Sequence, residues 1–544
     1  MRAGRILIVF FAATFFVNAA APPHGKARLR ELAVFPTLNL TFQWGFDFQG
    51  GTLNFTDNNA DPLEEIARLR QELKQQPDNI QRFLQLGGLL DQNNETNESK
   101  ICYHKAEQLC RNRLTVNPGD GLLLTDLGQA LFALDKKDEA ENVSRKATVV
   151  SSNEWKCWVG LGQILENRSF EQLFPEKSLA SIFALASSAP QELLNYRPSP
   201  GALGKSEALS SEAAKCFDRA VATAPKETEV FLCRAGYQFI SNLKNLLIQH
   251  FRSNDNLEPN KLRSAFLFTK ATVPDLQQAA RLSPNNYKII AIAAYFEWAN
   301  AVAQATPPNS AFNSLPDETR RSIREAMTRL ENLSLDSDKK AAAGALEVLG
   351  CLNMTMGGVD AASCRAAEPY LRRAASLDPS RDTSWDILLG VLHGESAPPE
   401  DMITVCESRL KYKNSAWNHL LLAKVLQKQE QWVKATEQAT AAIKLETNNV
   451  AAHLMLFALC LRQSGDPLYL TNAVQNVSLI STNALNEITS ADEKAERERE
   501  IMLNSAILLG LNDQPERAKE LLRTTVLKTN PDDKDAKEIM SALE

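Results

Sequence analysis

Residues 121–147 read GLLLTDLGQALFALDKKDEAENVSRKA, and this stretch decides the fold. Counted from Gly121, the residues Leu124, Leu127, Gly128 and Leu131 fall at positions 4, 7, 8 and 11, and Ala140, Ser144 and Ala147 fall at 20, 24 and 27. Apolar residues spaced by three and four predict two amphipathic helices, A and B, in one hairpin. Small residues at 8 and 20 let the two backbones approach, and large residues at 4 and 11 fill the space beside them. In later units a proline at position 32 stops helix B, because it has no amide hydrogen and disfavours a helical residue before it.

The pattern recurs. Counted from Trp155, the residues Trp158, Leu161, Gly162 and Leu165 fall at 4, 7, 8 and 11. The matching second helix arrives late, with Ala213, Phe217, Ala220 and Pro225 in the places of 20, 24, 27 and 32. Later units carry Leu232, Ala235, Gly236 and Phe239, closing near Leu276, Ala279 and Pro284. Others follow at Ile290, Ala293 and Ala294, and at Leu346, Leu349 and Gly350 with Ala367, Leu371, Ala374 and Pro379. Leu389-Gly390 opens a degenerate copy; His419, Leu422, Ala423 and Leu426 open a good one, and another starts at His453. An irregular pair precedes them all, from Leu84-Gly87 to Ala106 and Pro118.

With a period of about 34 residues, these positions resemble the tetratricopeptide repeat (TPR). The resemblance implies an all-α, TPR-type α-solenoid of about ten helix pairs over residues 63–544. Three stretches between helix A and helix B exceed the repeat: 166–212, 241–270 and 299–320. The first contains Pro190, Pro198, Pro200, Gly201 and Gly204, so it is read as including a loop.

Members of that family commonly receive an extended or helical peptide on the concave wall of their A helices. The resemblance places that wall at positions 2, 5, 9 and 12. Here these are Leu122, Thr125, Gln129 and Phe132, then Lys156, Val159, Gln163 and Glu166, then Val230, Cys233, Tyr237 and Ile240. Thr125, Gln129, Phe132, Val159, Gln163 and Tyr237 are the expected partner-binding residues. Thr125 and Gln129 lack the Lys and Asn with which one branch of the family clamps a terminal carboxylate, so that ligand is not expected.

Composition narrows the function classes. The 544 residues carry a net charge of −6, with 44% hydrophobic and 23% charged residues. No basic field is available to neutralise a phosphate backbone, so nucleic-acid binding is not expected. The nine cysteines form no CxxC pair and are scattered, which points to free thiols acting as small apolar core residues. A disulfide such as Cys102 with Cys110 is the alternative.

The N-terminus differs from the rest. Arg2 and Arg5 precede the 12-residue apolar run Ile6 to Val17, and Ala19, Ala20 and Ala21 lead into Pro22-Pro23. This is the layout of a secretory signal peptide over residues 1–19, predicting a periplasmic or secreted chain. No later stretch reaches roughly 18 apolar residues free of charge, so no integral span is expected in the mature chain. Within the extension 20–62, Leu38, Leu40, Phe42, Trp44, Phe46 and Phe48 alternate with polar residues or glycine, which predicts a strand. Gly50-Gly51 and Thr52 to Phe55 supply a turn and a second arm, a β-hairpin whose apolar face covers an end of the array.

Candidate chemistry is thin. Ser199 to Ser206 (SPGALGKS) resembles a phosphate loop, but serine holds the first-glycine place and no buried strand precedes it. Gly160 and Gly162 sit inside a helix and read as packing. His419 and His453 occupy position 4 of consecutive units and could stack, yet a metal site needs a third ligand that the sequence does not offer. No catalytic, metal or cofactor-binding residue is therefore assigned, and the chain is not expected to be an enzyme. Nine N-x-S/T sequons occur, among them Asn353 at a packed helix position. Two binding roles remain: a protein-interaction scaffold or adaptor using the A-helix wall, and a glycan- or ligand-binding module using the inserted stretches.

Overall fold

The computed structural model describes residues 6–10, 26–36, 42–49, 52–56, 62–92, 95–177, 182, 185–186, 190–199, 201–253, 270–304, 315–356, 360–394, 397–466, 468–473, 485, 488 and 491–544. They fall into two units, one of residues 1–10 and 42–384, the other of residues 11–41 and 385–544.

The first unit is a succession of antiparallel helix pairs. Gly121–Ala133 packs on Lys137–Val150, Trp155–Leu173 on Ala202–Thr223, and Lys339–Met356 on Ala361–Leu377. The same contact closes each pair. A Cβ added at Gly128 would meet Ser144 Oγ, at Gly162 it would meet the Phe217 ring at 2.9 Å, and at Gly350 Leu371 Cγ at 2.7 Å. Position 8 therefore touches position 24 in three separate pairs, and only a hydrogen fits there. Around these crossings Leu127, Leu131, Leu165, Ala213, Ala220 and Leu349 are buried. All nine cysteines are buried, and none is in a disulfide. Burial pushes the thiols of Cys110, Cys216 and Cys406 up to about 12, so these residues act as apolar filler.

Local chemistry fixes where the helices start and turn. The side chain of Asp120 accepts from the Leu123 amide at 3.0 Å, and Asp360 accepts from Ser363 at 2.8 Å. Each caps the first turn of its helix. At the other end of Gly121–Ala133, Asp135 takes a left-handed φ of 63° and the Lys136 amide donates back to Leu131 O at 2.9 Å. This closure recurs in the second unit at Glu430 (φ 55°) and Asp513 (φ 59°).

The described residues of the inserted stretches are largely helix. Residues 166–173 continue Trp155–Leu173, and residues 241–253 continue Thr228–Ser253, where Leu243, Leu247 and Ile248 are buried. Residues 299–304 likewise continue Tyr287–Gln304. Apolar spacing persists past the end of the repeat, so the A helices lengthen where the period alone suggests an interruption. Residues 254–269 and 305–314 lie outside the described residues.

Strands Ile6–Phe10, Phe42–Gln49 and Thr52–Thr56 pair antiparallel in that order, with Ile6 opposite Phe46 and Phe46 opposite Phe55. The last strand lies against Thr228–Ser253 and Tyr287–Gln304, inside the run of helices and not over an end of it. Leu38 and Leu40 lie outside the described residues, as does most of the stretch read as a signal peptide. The Ile6–Phe10 segment, ILIVF, is rich in β-branched residues and suits a strand as well as an apolar helix.

The second unit repeats the helix-pair plan with Ala416–Lys428 on Trp432–Leu445 and Ala491–Leu511 on Pro515–Thr524, and ends in Lys534–Ala542. Ser415 and Asn449 cap two of its helices. Residues 26–36 lie in this unit, with Leu29 and Ala33 buried in a core shared with Phe457, Leu503, Ile507 and Leu543. No helix among the described residues is long and apolar enough to cross a membrane.

Candidate binding groove on the A helices

Two A helices of the first unit, Gly121–Ala133 and Trp155–Leu173, touch where Gly160 meets Thr125; a Cβ at Gly160 would stand 2.6 Å from Thr125 Cγ2. The two helices bound one hollow of about 420 Å³. Leu122, Thr125, Asp126 and Gln129 line it from the first helix, and Trp155, Lys156, Val159 and Gln163 from the second. Gln81, Glu229 and Cys233 complete it from neighbouring helices. Thr125, Gln129, Val159 and Gln163, expected from the repeat frame, thus stand around a single cavity.

Phe132 and Tyr237 are corrections. Phe132 is buried in a core cluster with Ile80, Leu127, Leu131 and Ile164. Position 12 turns inward throughout: Glu166 and Ile240 are buried as well. Tyr237 stacks on Phe217 at 4.6 Å, and its hydroxyl donates to Ser210 O at 3.1 Å. The ring is engaged in closing the helix pair, so it does not face the hollow.

Glu166 belongs to a buried polar network. Lys244 Nζ donates to Glu166 Oε1 at 2.6 Å and to Ser169 Oγ at 2.9 Å, and Ser210 donates to Glu166 Oε2 at 3.0 Å. The Lys244 side chain is fully buried, and desolvation pulls its pKa below the ordinary lysine value while Glu166 pulls it back. A comparable pair joins Arg381 to Glu347 at 2.9 Å, with Ser384 donating to the same carboxylate. Such pairs add little net stability, but losing one partner leaves a buried charge uncompensated.

The hollow has its own electrostatics. Asp126 accepts from Gln81 Nε2 at 2.6 Å, and burial raises its pKa to about 6 against the pull of Gln81 and Lys156. Thr125 donates to Gly121 O at 2.9 Å, so its hydroxyl is satisfied within its helix. The carboxamide of Gln129 can donate and accept, as an extended backbone requires. Leu122 is 43% exposed at the rim, and Val159 and Cys233 give an apolar floor. Gln81, Asp126, Trp155 and Glu229 escaped the sequence reading. Asp126 sits at position 6, outside the assumed set, and Gln81 belongs to the irregular first pair.

The other candidates resolve into packing. His419 bonds Gln438 Oε1 at 2.7 Å and Asn414 Oδ1 at 2.8 Å, whereas His453 bonds Thr447 O at 2.8 Å, so each ring has its own protein partners. Ser206 is buried and bonded to Ser169 at 2.9 Å, which removes it from any phosphate cradle. In the first insert, Phe174 and Tyr196 pack on each other at 4.9 Å and both on Phe251. Those rings are occupied by the fold.

No protein-family model matches the chain, and no curated protein matches it. Solved structures that are similar include yeast Tom70, at 14% identity over 85% of this chain and 94% of that one, with a TM-score of 0.29. The TPR domain of P58(IPK) matches at 12% identity over 85% and 97%, with a TM-score of 0.21. The Cut9–Hcn1 hetero-tetramer of APC/C matches at 12% over 81% and 94%, also at 0.21. At such identities and scores these likenesses carry no argument about family or function, and the fold rests on the helix pairs themselves.

Proposed function

We propose that the chain is a non-enzymatic interaction scaffold that binds an extended polypeptide along the A-helix face of its first unit. One observation carries the reading: Thr125, Gln129, Val159 and Gln163 share a hollow with Gln81 and Asp126, combining carboxamides, an apolar floor and one acid. Carboxamides read peptide backbone, Leu122 and Val159 receive an apolar side chain, and Asp126 favours a lysine or arginine on the ligand. The signal-peptide layout of residues 1–19 supports a protein acting outside the cytoplasm.

The test is quantitative capture from an extract of the source organism. Leu122→Glu with Gln129→Glu should remove the captured partner, while Val149→Glu on a B helix should not. Undiminished capture by the groove variant would refute the reading. Export is tested by mass spectrometry of the N-terminus of chain made in its own cell: residues 1–19 should be missing, and a retained Met1 would refute it.

A further inference from the structure

Residues 26–36 lie in the second unit as a bound peptide would. The Val34 amide donates to Asn504 Oδ1 at 2.8 Å, and Asn504 Nδ2 donates to Val34 O at 2.7 Å. One fully buried carboxamide thus holds both polar groups of a single residue, a contact indifferent to the side chain it serves. Phe35 lies against Trp432 at 6.4 Å, and Lys424 Nζ stands 5.7 Å over the Phe35 ring and donates to Pro36 O at 3.1 Å. At the other end, Lys26 pairs with Asp513 at 2.7 Å and Arg28 with Glu538 at 3.3 Å. Leu29 fills the space left by Gly510, where a Cβ would approach it to 2.8 Å.

The fit has a flaw. Arg30 Nε is buried without a hydrogen-bond partner. A segment selected only as a permanent part of the core would not be expected to keep a desolvated guanidinium nitrogen there.

We propose that residues 26–36 are an exchangeable ligand held in cis, and that the groove between Ala416–Lys428, Val450–Arg462 and Ala491–Leu511 is a second peptide site. Its occupant in trans is a partner segment of the same chemistry: basic residues spaced by two, a buried leucine, then an extended aliphatic–aromatic–proline end. Asp513 and Glu538 select the basic start, Asn504 clamps the extended backbone, and Lys424 with Trp432 selects the aromatic residue. The tether keeps the groove filled until a better competitor arrives. This site lies in the other unit from the hollow at Gln129 and stands or falls independently of it.

The experiment uses the full chain and a fluorescent peptide of residues 26–36, read by anisotropy. In the variant Leu29→Asp with Phe35→Asp the cis segment is weakened and the groove left intact. That variant should bind the peptide at least about ten-fold more tightly than the wild type, since the tethered copy no longer competes. Adding Asn504→Ala should lose about ten-fold, and a peptide with Arg30→Leu should gain about five-fold. Absence of peptide binding by the released variant while its helical circular dichroism is intact would overturn the proposal, as would equal binding by the wild type. If the released variant does not fold, hydrogen exchange of the wild type decides. The Val34 amide should exchange ahead of the core of Ala491–Leu511, and exchange of the two as one unit would overturn the proposal. A concentration-dependent dimer that blocks peptide uptake would assign the groove to a second copy and overturn the partner reading.

Discussion

Replacing Gly162 by alanine should destabilise the first unit, although alanine is the better helix former. The added Cβ would stand 2.9 Å from Phe217 Cε2 and 3.1 Å from Cδ2, about 0.5 Å inside ordinary contact. Phe217 is only 2% exposed and is held by Tyr237 at 4.6 Å, so it has nowhere to retreat. Overpacking of this kind costs about 1–3 kcal/mol. Removing a mid-helix glycine returns about 0.5–1 kcal/mol. The net loss is then about 0–2.5 kcal/mol, centred near 1 kcal/mol. Gly204 provides the control: a Cβ there meets nothing within 4 Å, so Gly204→Ala should be neutral or stabilising. Because the chain has two units, a single melting temperature does not isolate the effect. Hydrogen exchange of Trp155–Leu173 as a function of urea reads the local free energy. In a cycle with Phe217→Leu, the coupling should be about 1 kcal/mol in favour of the double variant. A neutral Gly162→Ala with no coupling to Phe217 would refute the claim that positions 8 and 24 set the crossing.

Lys244→Ala should cost about 3–5 kcal/mol by urea-dependent hydrogen exchange of Trp155–Leu173, because it leaves Glu166 buried and unpaired, while Lys244→Met with Glu166→Leu should recover most of that loss. Asp126 has a folded pKa of about 6 against 3.8 for the free side chain, so the folded state holds more protons between those values. The sign follows: stability falls as pH rises from about 4 to 6, by about 1 kcal/mol once water access to the half-buried carboxylate is allowed for. Asp126→Asn should therefore be the more stable protein at pH 7 and equal to the wild type at pH 4, as urea-dependent hydrogen exchange of the substituted helix at the two pH values will show. Glu430→Gly should gain about 1 kcal/mol by the same assay, since glycine adopts a φ of 55° without the strain a side chain brings.

The helix pairs were legible because the crossings are made by short, repeated contacts. Gly128 with Ser144, Gly162 with Phe217 and Gly350 with Leu371 leave the same spacing mark wherever they occur. The caps Asp120, Ser415 and Asn449 stand one residue before position 1 of their units and mark the same phase. The hollow was partly legible for the same reason, through Thr125, Gln129, Val159 and Gln163. Thr125, Val159 and Gln163 are buried, yet they line the hollow, whereas position 12 does not. Position 12 lies where the next helix packs, so Phe132, Glu166 and Ile240 turn inward. The lengths of Trp155–Leu173 and Thr228–Ser253 were missed because the repeat period says nothing of helices that outrun it. The docking of Val34 on Asn504 joins residues 470 apart in the chain, and no local pattern announces it.

The most direct measurement of the central claim is site-specific photocrosslinking in the full chain. A photoreactive residue at Gln129, on the A-helix face, should crosslink to a partner polypeptide, and one at the 79%-exposed Val149 of the adjacent B helix should not. Crosslinks that form from Val149 and not from Gln129 would contradict the account.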